Sequence, residues 1–166
     1  MNETKRCFEP VVDHRTRLLI LGSLPSEQSL LKGEYYGNKQ NKFWELIGAV
    51  IGADLRALPY AARLDGLRAH DVGLWDVIAE AERQGSLDMA IRNESHNDLL
   101  RLAESLPGLR AVAFNGGRAA KAGRKLLLPL AERLQLFDLP SSSPAHTLPL
   151  AHKLAAWGAL RDVLRA

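Results

Sequence analysis

The sequence predicts an α/β domain whose parallel sheet is covered by helices on both faces. Three observations point to it. Short apolar runs end in turn residues as buried strands do, apolar residues at helical spacing lie between them, and the two patterns alternate along the chain.

The first strand is "RLLILGS" (17–23), an apolar run closed by Gly-Ser. A loop follows, then "NKFWELIGAVIG" (41–52), with Phe43, Trp44, Ile47, Val50 and Ile51 at helical spacing and Gly52 as a stop. "PYAARLDGLRAH" (59–70) opens on a proline suited to a first turn and predicts a second helix. "VGLWDV" (72–77) is the next strand, and a polar segment, "AEAERQGSLDMAIRNES", comes after it. In "SHNDLLRLAESLP", Ser95 or Asn97 is expected to cap a leucine-bearing helix. "LRAVAFNG" (109–116) is the third strand and "RAAKAGRKLLLPL" a basic helix. "LQLFDLP" (134–140) is the fourth strand, "SSSPAHT" a loop, and one last helix is expected from about Leu148 to Leu164.

At 166 residues, 46% apolar and 25% charged, the chain suits one globular domain, taken as 1–166. No apolar run reaches the roughly 18 residues of a membrane span, so no membrane partner is expected. "MNETKRCFEP" lacks an apolar export core, and Cys7 is the only cysteine. A reducing, cytoplasmic location is therefore expected, with no internal disulfide, iron–sulfur cluster or multi-cysteine zinc site. Net charge is +3 but uneven: residues 1–100 hold 12 Lys/Arg against 15 Asp/Glu, and residues 101–166 hold 10 against 4. A basic C-terminal part suits a polyanion; a merely solvated surface is the alternative.

Polar residues gather in the loops that follow the strands: "GSLPSEQS", "DV", "NGG" and "LPSSSPAHT". Ligands of open α/β sheets bind at the carboxyl ends of the strands, so these loops are expected to build the site. G-x-G-x-x-G, a P-loop and a G-x-S-x-G elbow are all absent. His146 and His152 lie six apart, without metal-ligand spacing, and no metal is expected. Ser141, Ser142 and Ser143, bounded by Pro140 and Pro144, form either a solvated turn or a set of hydroxyls and amides for phosphate oxygens.

The decapeptide "YYGNKQNKFW" (35–44) sets aromatic rings among neutral amides. Tyr35, Phe43 and Trp44 are expected in the core. Tyr36, before Gly37 in a polar loop, is the candidate for stacking on a base. Asn41 stands where a helix begins and could simply cap it.

In this order, "LILGSLPSEQSL", "YYGNKQNKFW", "GLWDVIAEAERQGSLDMAI", "FNGG" and "LPSSSPAHT" resemble the uracil-DNA glycosylase superfamily, and most of all its hypoxanthine-DNA glycosylase (DNA-deoxyinosine glycosylase) branch. The resemblance runs from about Cys7 to Trp157. It implies a three-layer α/β/α sandwich around a four-stranded parallel sheet. It also implies a monomer acting without cofactor on DNA that contains deaminated bases, as a hydrolase of base excision repair. The damaged nucleotide is flipped out and water attacks its sugar C1′ as the base leaves.

Residue by residue, "GSLPS" resembles the motif that reads G-I-N-P-G in the mismatch-specific branch, which puts Leu24 where that motif has its water-positioning asparagine. The resemblance moves this task to Asn41, with Asn38 as the competing amide. Tyr36 matches the stacking aromatic. Gly22, Ser23, Leu24 and Pro25 are expected along the pocket wall, with Ser23 near base or water. Asp76 either contacts the base edge or holds a loop, and Asn115 either reads the base or forms a turn. "LPSSSPAHT" resembles the motif that grips phosphates, giving Ser141, Ser142, Ser143 and Pro144 to the DNA backbone, while Lys153, beyond the motif, either adds phosphate attraction or is simply solvated. His146 contacts phosphate, fills the gap in the duplex, or does neither. Two competing readings remain: a G:U/G:T mismatch glycosylase, disfavoured by Leu24, and a non-catalytic binder of damaged DNA, which would be insensitive to Asn41→Ala.

Overall fold

A computed structural model of the chain describes residues 4–165. Its strands are β1 (Thr4–Arg6), β2 (Leu18–Gly22), β3 (Val72–Asp76), β4 (Ile78–Glu82), β5 (Arg92–His96), β6 (Ala111–Asn115) and β7 (Gln135–Leu139). Its helices are α1 (Glu27–Lys32), α2 (Phe43–Ile51), α3 (Tyr60–Ala69), α4 (Leu99–Ser105), α5 (Gly117–Leu126), α6 (Leu150–Gly158) and α7 (Arg161–Leu164). The four expected strands form one sheet in the order β3-β2-β6-β7. Every neighbouring pair in it is parallel.

The central strand β2 shows why three layers form. Its residues are buried without exception, so both faces must be covered. Alternation along the strand splits them. Leu18 and Ile20 join Phe43, Ile47, Leu67 and Trp157 of α2, α3 and α6. Leu19 and Leu21 join Leu99, Ala103, Ala119 and Ala120 of α4 and α5. Burying each such Leu or Ile contributes roughly 1.5–3 kcal/mol. Helix α5 rides close to the sheet because Gly123 has no side chain: a Cβ there would sit 2.3 Å from the Phe114 ring.

Four local expectations need correction. The helix over 99–105 is capped by Asp98, whose side chain accepts from Arg101 N–H, rather than by Ser95 or Asn97. Ser95 lies in β5, and Asn97 serves another purpose described below. The last helix is broken into α6 and α7 around Ala159–Leu160. The loop after β2 contains the short helix α1, capped by Ser26 accepting from Ser29 N–H. Finally, the polar segment after β3, to which the sequence assigns no element, contains two strands. It supplies β4 and β5, which join β1 in an antiparallel sheet ordered β1-β4-β5. Leu24, Ile78, Ala81 and Ile91 form a small apolar cluster of their own.

Parallel pairing brings Gly22, Asp76, Asn115 and Leu139 to the same end of the main sheet. Bonding continues past that edge, with Val77 N–H donating to Gly22 O and Ile78 N–H to Ser23 O. The loop after β2 is thereby fixed against the exit of β3.

Candidate active site

A cavity of about 310 Å³ opens at this end. That is at the lower end of the range for small-molecule sites, roughly 300–1,000 Å³. Of the expected residues, Gly22, Ser23, Leu24, Pro25, Tyr36, Asn41, Asp76, Asn115, Ser141, Ser142, Ser143 and His146 line it. Asn38, Pro144 and Lys153 do not. Ser86, Leu87 and Asp88, from the β4–β5 connection, complete the wall and were not anticipated.

Tyr36 is held in an unusual conformation. Its φ is +53°, a left-handed value that a bulky L residue seldom adopts and that tends to mark functional sites. Neighbours hold it there. Phe43 stacks on its ring at 3.9 Å and 13°, Asn115 Nδ2 donates to its hydroxyl at 3.3 Å, and Gly37 N–H donates to Ser29 Oγ. Tyr35, Phe43 and Trp44 are core residues, as expected.

Asn41 is fixed from three directions. Its N–H donates to Asn38 O, its Oδ1 accepts from Phe43 N–H at 2.9 Å, and the next amide, Lys42 N–H, donates to Ser142 O. Asn41 is not the helix cap, since α2 starts from Lys42 without a side-chain cap; its bond to Phe43 N–H closes an Asx-type turn just ahead of the helix and engages only the oxygen. The amide nitrogen has no hydrogen-bond acceptor among the described residues. Asn38 instead spends its Oδ1 on Gln40 N–H, outside the cavity.

Asp76 lies at the cavity floor with 4% exposure. Its Oδ2 has no hydrogen-bond partner among the described residues. Burial raises its pKa to about 7, and the charge of Asp88 pushes the same way against a smaller opposing effect of Arg83. Burial also raises the Tyr36 hydroxyl, helped by Asp76 and opposed by the Asn115 hydrogen bond. Gly22 makes room for both groups: a Cβ on it would meet Asp76 Oδ1 at 2.7 Å and the Tyr36 hydroxyl at 2.9 Å. Asn97 steadies the floor by donating to Asp76 O at 2.7 Å.

Three sequence expectations are altered by burial. Ser142 is 1% exposed and faces inward, so it cannot meet a phosphate directly: its N–H donates to Asn115 Oδ1 and its Oγ accepts from Asn115 Nδ2. Asn115 therefore has both ends of its amide committed to the protein. Lys153 is 3% exposed, and its Nζ donates to Ser143 O at 3.2 Å, so the ammonium supports the serine loop from below. Burial lowers its pKa. Ser23 donates to Asp88 Oδ1 at 2.6 Å, which leaves only its oxygen lone pairs for a ligand. Leu24 packs into the small apolar cluster while touching the cavity.

Arg83 is the positioning residue that sequence reasoning missed. It is fully buried, donating through Nε to Gly85 O at 2.8 Å and through Nη2 to Pro25 O. It joins the loop after β2 to the segment bearing Asp88. No local pattern marked it: Arg83 lies just past the end of β4, whose burial does not alternate.

Among the described residues no lysine or arginine lines the cavity, whose acidic side chains are Asp76 and Asp88. No cluster of His, Cys, Asp and Glu suited to a metal occurs among the described residues. Their helices include none long and apolar enough to cross a membrane.

The cavity thus brings a buried carboxyl, an aromatic ring and a hydroxyl-rich rim together at the carboxyl end of the sheet. The profile of the uracil DNA glycosylase superfamily matches residues 9–161, and the chain belongs to that superfamily. Similarity to individual members is narrower. A Methanosarcina acetivorans protein named hypoxanthine DNA glycosylase is 40% identical over 156 residues, 94% of this chain and 97% of the relative. A Methanosarcina barkeri protein of the same name is 39% identical over 153 residues, 92% of this chain and 95% of the relative. The solution NMR structure of a M. acetivorans protein, described as a candidate uracil DNA glycosylase, superposes with a TM-score of 0.87 at 39% identity, covering 98% of this chain and 100% of that one.

Proposed function

We propose that this chain is a monofunctional DNA glycosylase that removes a flipped, deaminated base from DNA, hypoxanthine before uracil. The observation that carries the reading is the joint placement of Tyr36, Asn41 and Asp76 in one cavity whose walls, among the described residues, include no lysine or arginine. An uncharged base fits such a wall, and the similarity to two hypoxanthine DNA glycosylases supports the choice of base.

In this reading the base stacks on the Tyr36 face opposite Phe43, while Asp76 meets an edge of the base. Asn41 orients a water towards C1′ through the amide nitrogen and the remaining lone pair of Oδ1. An amide is a poor base, but a sugar already dissociating towards a cation needs little activation of its nucleophile. Ser141 Oγ accepts from Ser143 N–H and Ser143 Oγ from Ala145 N–H. Both hydroxyl protons remain to be donated to phosphate oxygens, with exposed Pro144 and His146 beside them on the same loop. Asn115 and Lys153 hold that loop in place. The chemistry requires no cofactor, and no lysine stands at the cavity to form a Schiff base, which supports hydrolysis without strand cleavage. We further propose that residues 1–166 act as a single monomeric domain in the cytoplasm.

The test is single-turnover cleavage of labelled duplexes holding one hypoxanthine, uracil or xanthine, or a thymine opposite guanine, each followed by alkali. Wild type should release hypoxanthine fastest, and Asn41→Ala should be slower by at least about 100-fold. Base release at equal rates by both proteins would remove Asn41 from its role. Salt-sensitive binding with no release from any duplex would leave a damage-binding module instead.

A further inference from the structure

We propose that Asp76 is a catalytic general acid, handing its proton to a ring nitrogen of the departing purine as the C1′–N9 bond breaks. This rests on the glycosylase reading above and adds to it a step specific to purines.

The argument starts from an atom without a partner. Asp76 Oδ2 is buried at the cavity floor and unbonded among the described residues, and such an oxygen costs stability unless something uses it. The charged and titratable groups facing it make the neutral acid accessible near neutrality. Asp88 opposes a second negative charge, and Tyr36, Tyr35 and Cys7 surround the carboxyl from the decapeptide and the segment after β1 without neutralising it. Among the described residues Arg83 is the cation whose charge opposes this, but its named hydrogen bonds go to Gly85 O and Pro25 O and its Nη1 has no partner, so it offsets only part of the effect. With its proton held to about pH 7, Asp76 is a donor in the place where an anionic leaving group would otherwise form.

A purine gains from this. As the C1′–N9 bond breaks, its electron pair moves into the ring system, and protonation at N7 or N3 delivers a neutral base. Asp76 is left ionised beside the sugar cation. Water oriented by Asn41 adds to C1′ and loses a proton, which returns the carboxyl to its starting state through solvent. The net reaction adds one water across the bond and yields an abasic sugar and neutral hypoxanthine.

Asp76→Asn replaces a neutral carboxyl by a neutral amide of the same shape and removes only the transferable proton. Single-turnover rates are compared for wild type and D76N on duplexes holding deoxyinosine or 7-methyldeoxyinosine, against enzyme-free controls, from pH 5.5 to 9. At the acid end of this range, where N1 keeps its proton, the methylated base already carries the positive charge that protonation would supply, and the two substrates are compared there. We expect D76N to lose at least about 100-fold on deoxyinosine and less than about threefold on the methylated base. Wild type should hold a plateau below about pH 7 on deoxyinosine and then fall tenfold per pH unit, a limb absent from D76N. Equal losses on both substrates, or a wild-type rate that rises through pH 7, would overturn the general-acid role. If wild type released neither base, the glycosylase reading itself would fail, a different result from either of those.

Discussion

Replacing Asp76 by Asn should make the protein more stable at alkaline pH, and the size of the gain follows from where the carboxyl sits. Its ordinary value of 3.8 rises to about 7, with burial as the main cause. The interval corresponds to about 4 kcal/mol between its two protonation states, an upper bound because water entry and relaxation soften desolvation. The sign is fixed by proton counting. Between about pH 4 and pH 7 the folded state holds a proton that the unfolded state has lost, so stability falls as pH rises through this window. Below it both states are protonated, and the stability lost above it is fully present. The amide that replaces the carboxyl in the variant does not titrate. Urea unfolding of both proteins at pH 4.5, 6, 7 and 8 should therefore show a gap that widens by about 2–4 kcal/mol towards pH 8, with unchanged m-values. Other titrating groups cancel in the difference. A gap that stays constant across the series would mean that Asp76 ionises like a solvated carboxyl, and the account of the cavity floor would be wrong.

Three further outcomes test the rest of the site. Gly22→Ala sets a methyl 2.7 Å from Asp76 Oδ1 and 2.9 Å from the Tyr36 hydroxyl. It should cost about 1–3 kcal/mol and slow base release at least tenfold, read by thermal melting and single-turnover cleavage. Asn115→Ala strands the buried Ser142 N–H and removes the bonds to Ser142 Oγ and Tyr36, so a loss of about 2–3 kcal/mol is expected in denaturant titration. Lys153→Met keeps the buried stem but loses the bond to Ser143 O. DNA affinity should fall while the slope of log K against log salt changes by much less than one, whereas a direct phosphate contact would reduce that slope by about one.

Much of this was legible in the chain because parallel strands leave a simple trace. "LLILG" and "AVAFN" are buried on both faces, so their apolar runs are unbroken, and the carboxyl ends of such strands locate the site without a ligand. The antiparallel sheet left no comparable trace. In β5, "RNESH", only Glu94 is even partly buried, and the strand exists because β4 offers it a partner. Local propensity carries little information about a strand made by pairing. With that sheet went the segment bearing Ser86, Leu87 and Asp88. The other misreadings concern side-chain direction. Ser142 and Lys153 belong to residue types usually found exposed, and nothing local reveals that Asn115 and Ser143 turn them inward.

The inward turn of Ser142 also explains how two distant motifs become one device. Its backbone N–H and hydroxyl meet Asn115 at the end of β6, while its carbonyl accepts from Lys42 N–H beside Asn41. Asn115 in turn donates to the Tyr36 hydroxyl. The loop proposed to hold phosphates, the ring proposed to stack on the base and the amide proposed to orient water are thus tied to a single buried serine. Hydrogen bonds around such a hub fix distances as well as adding stability, and a misplacement of about 1 Å is enough to lower a rate 100-fold. Ser142→Ala removes the hydroxyl but leaves both backbone bonds. It should therefore lower base release less than Asn115→Ala does, although both changes lie outside any contact with the reacting sugar. If Ser142→Ala proved the more damaging of the two, the hydroxyl itself would have to touch DNA, and the hub would need to open when substrate binds.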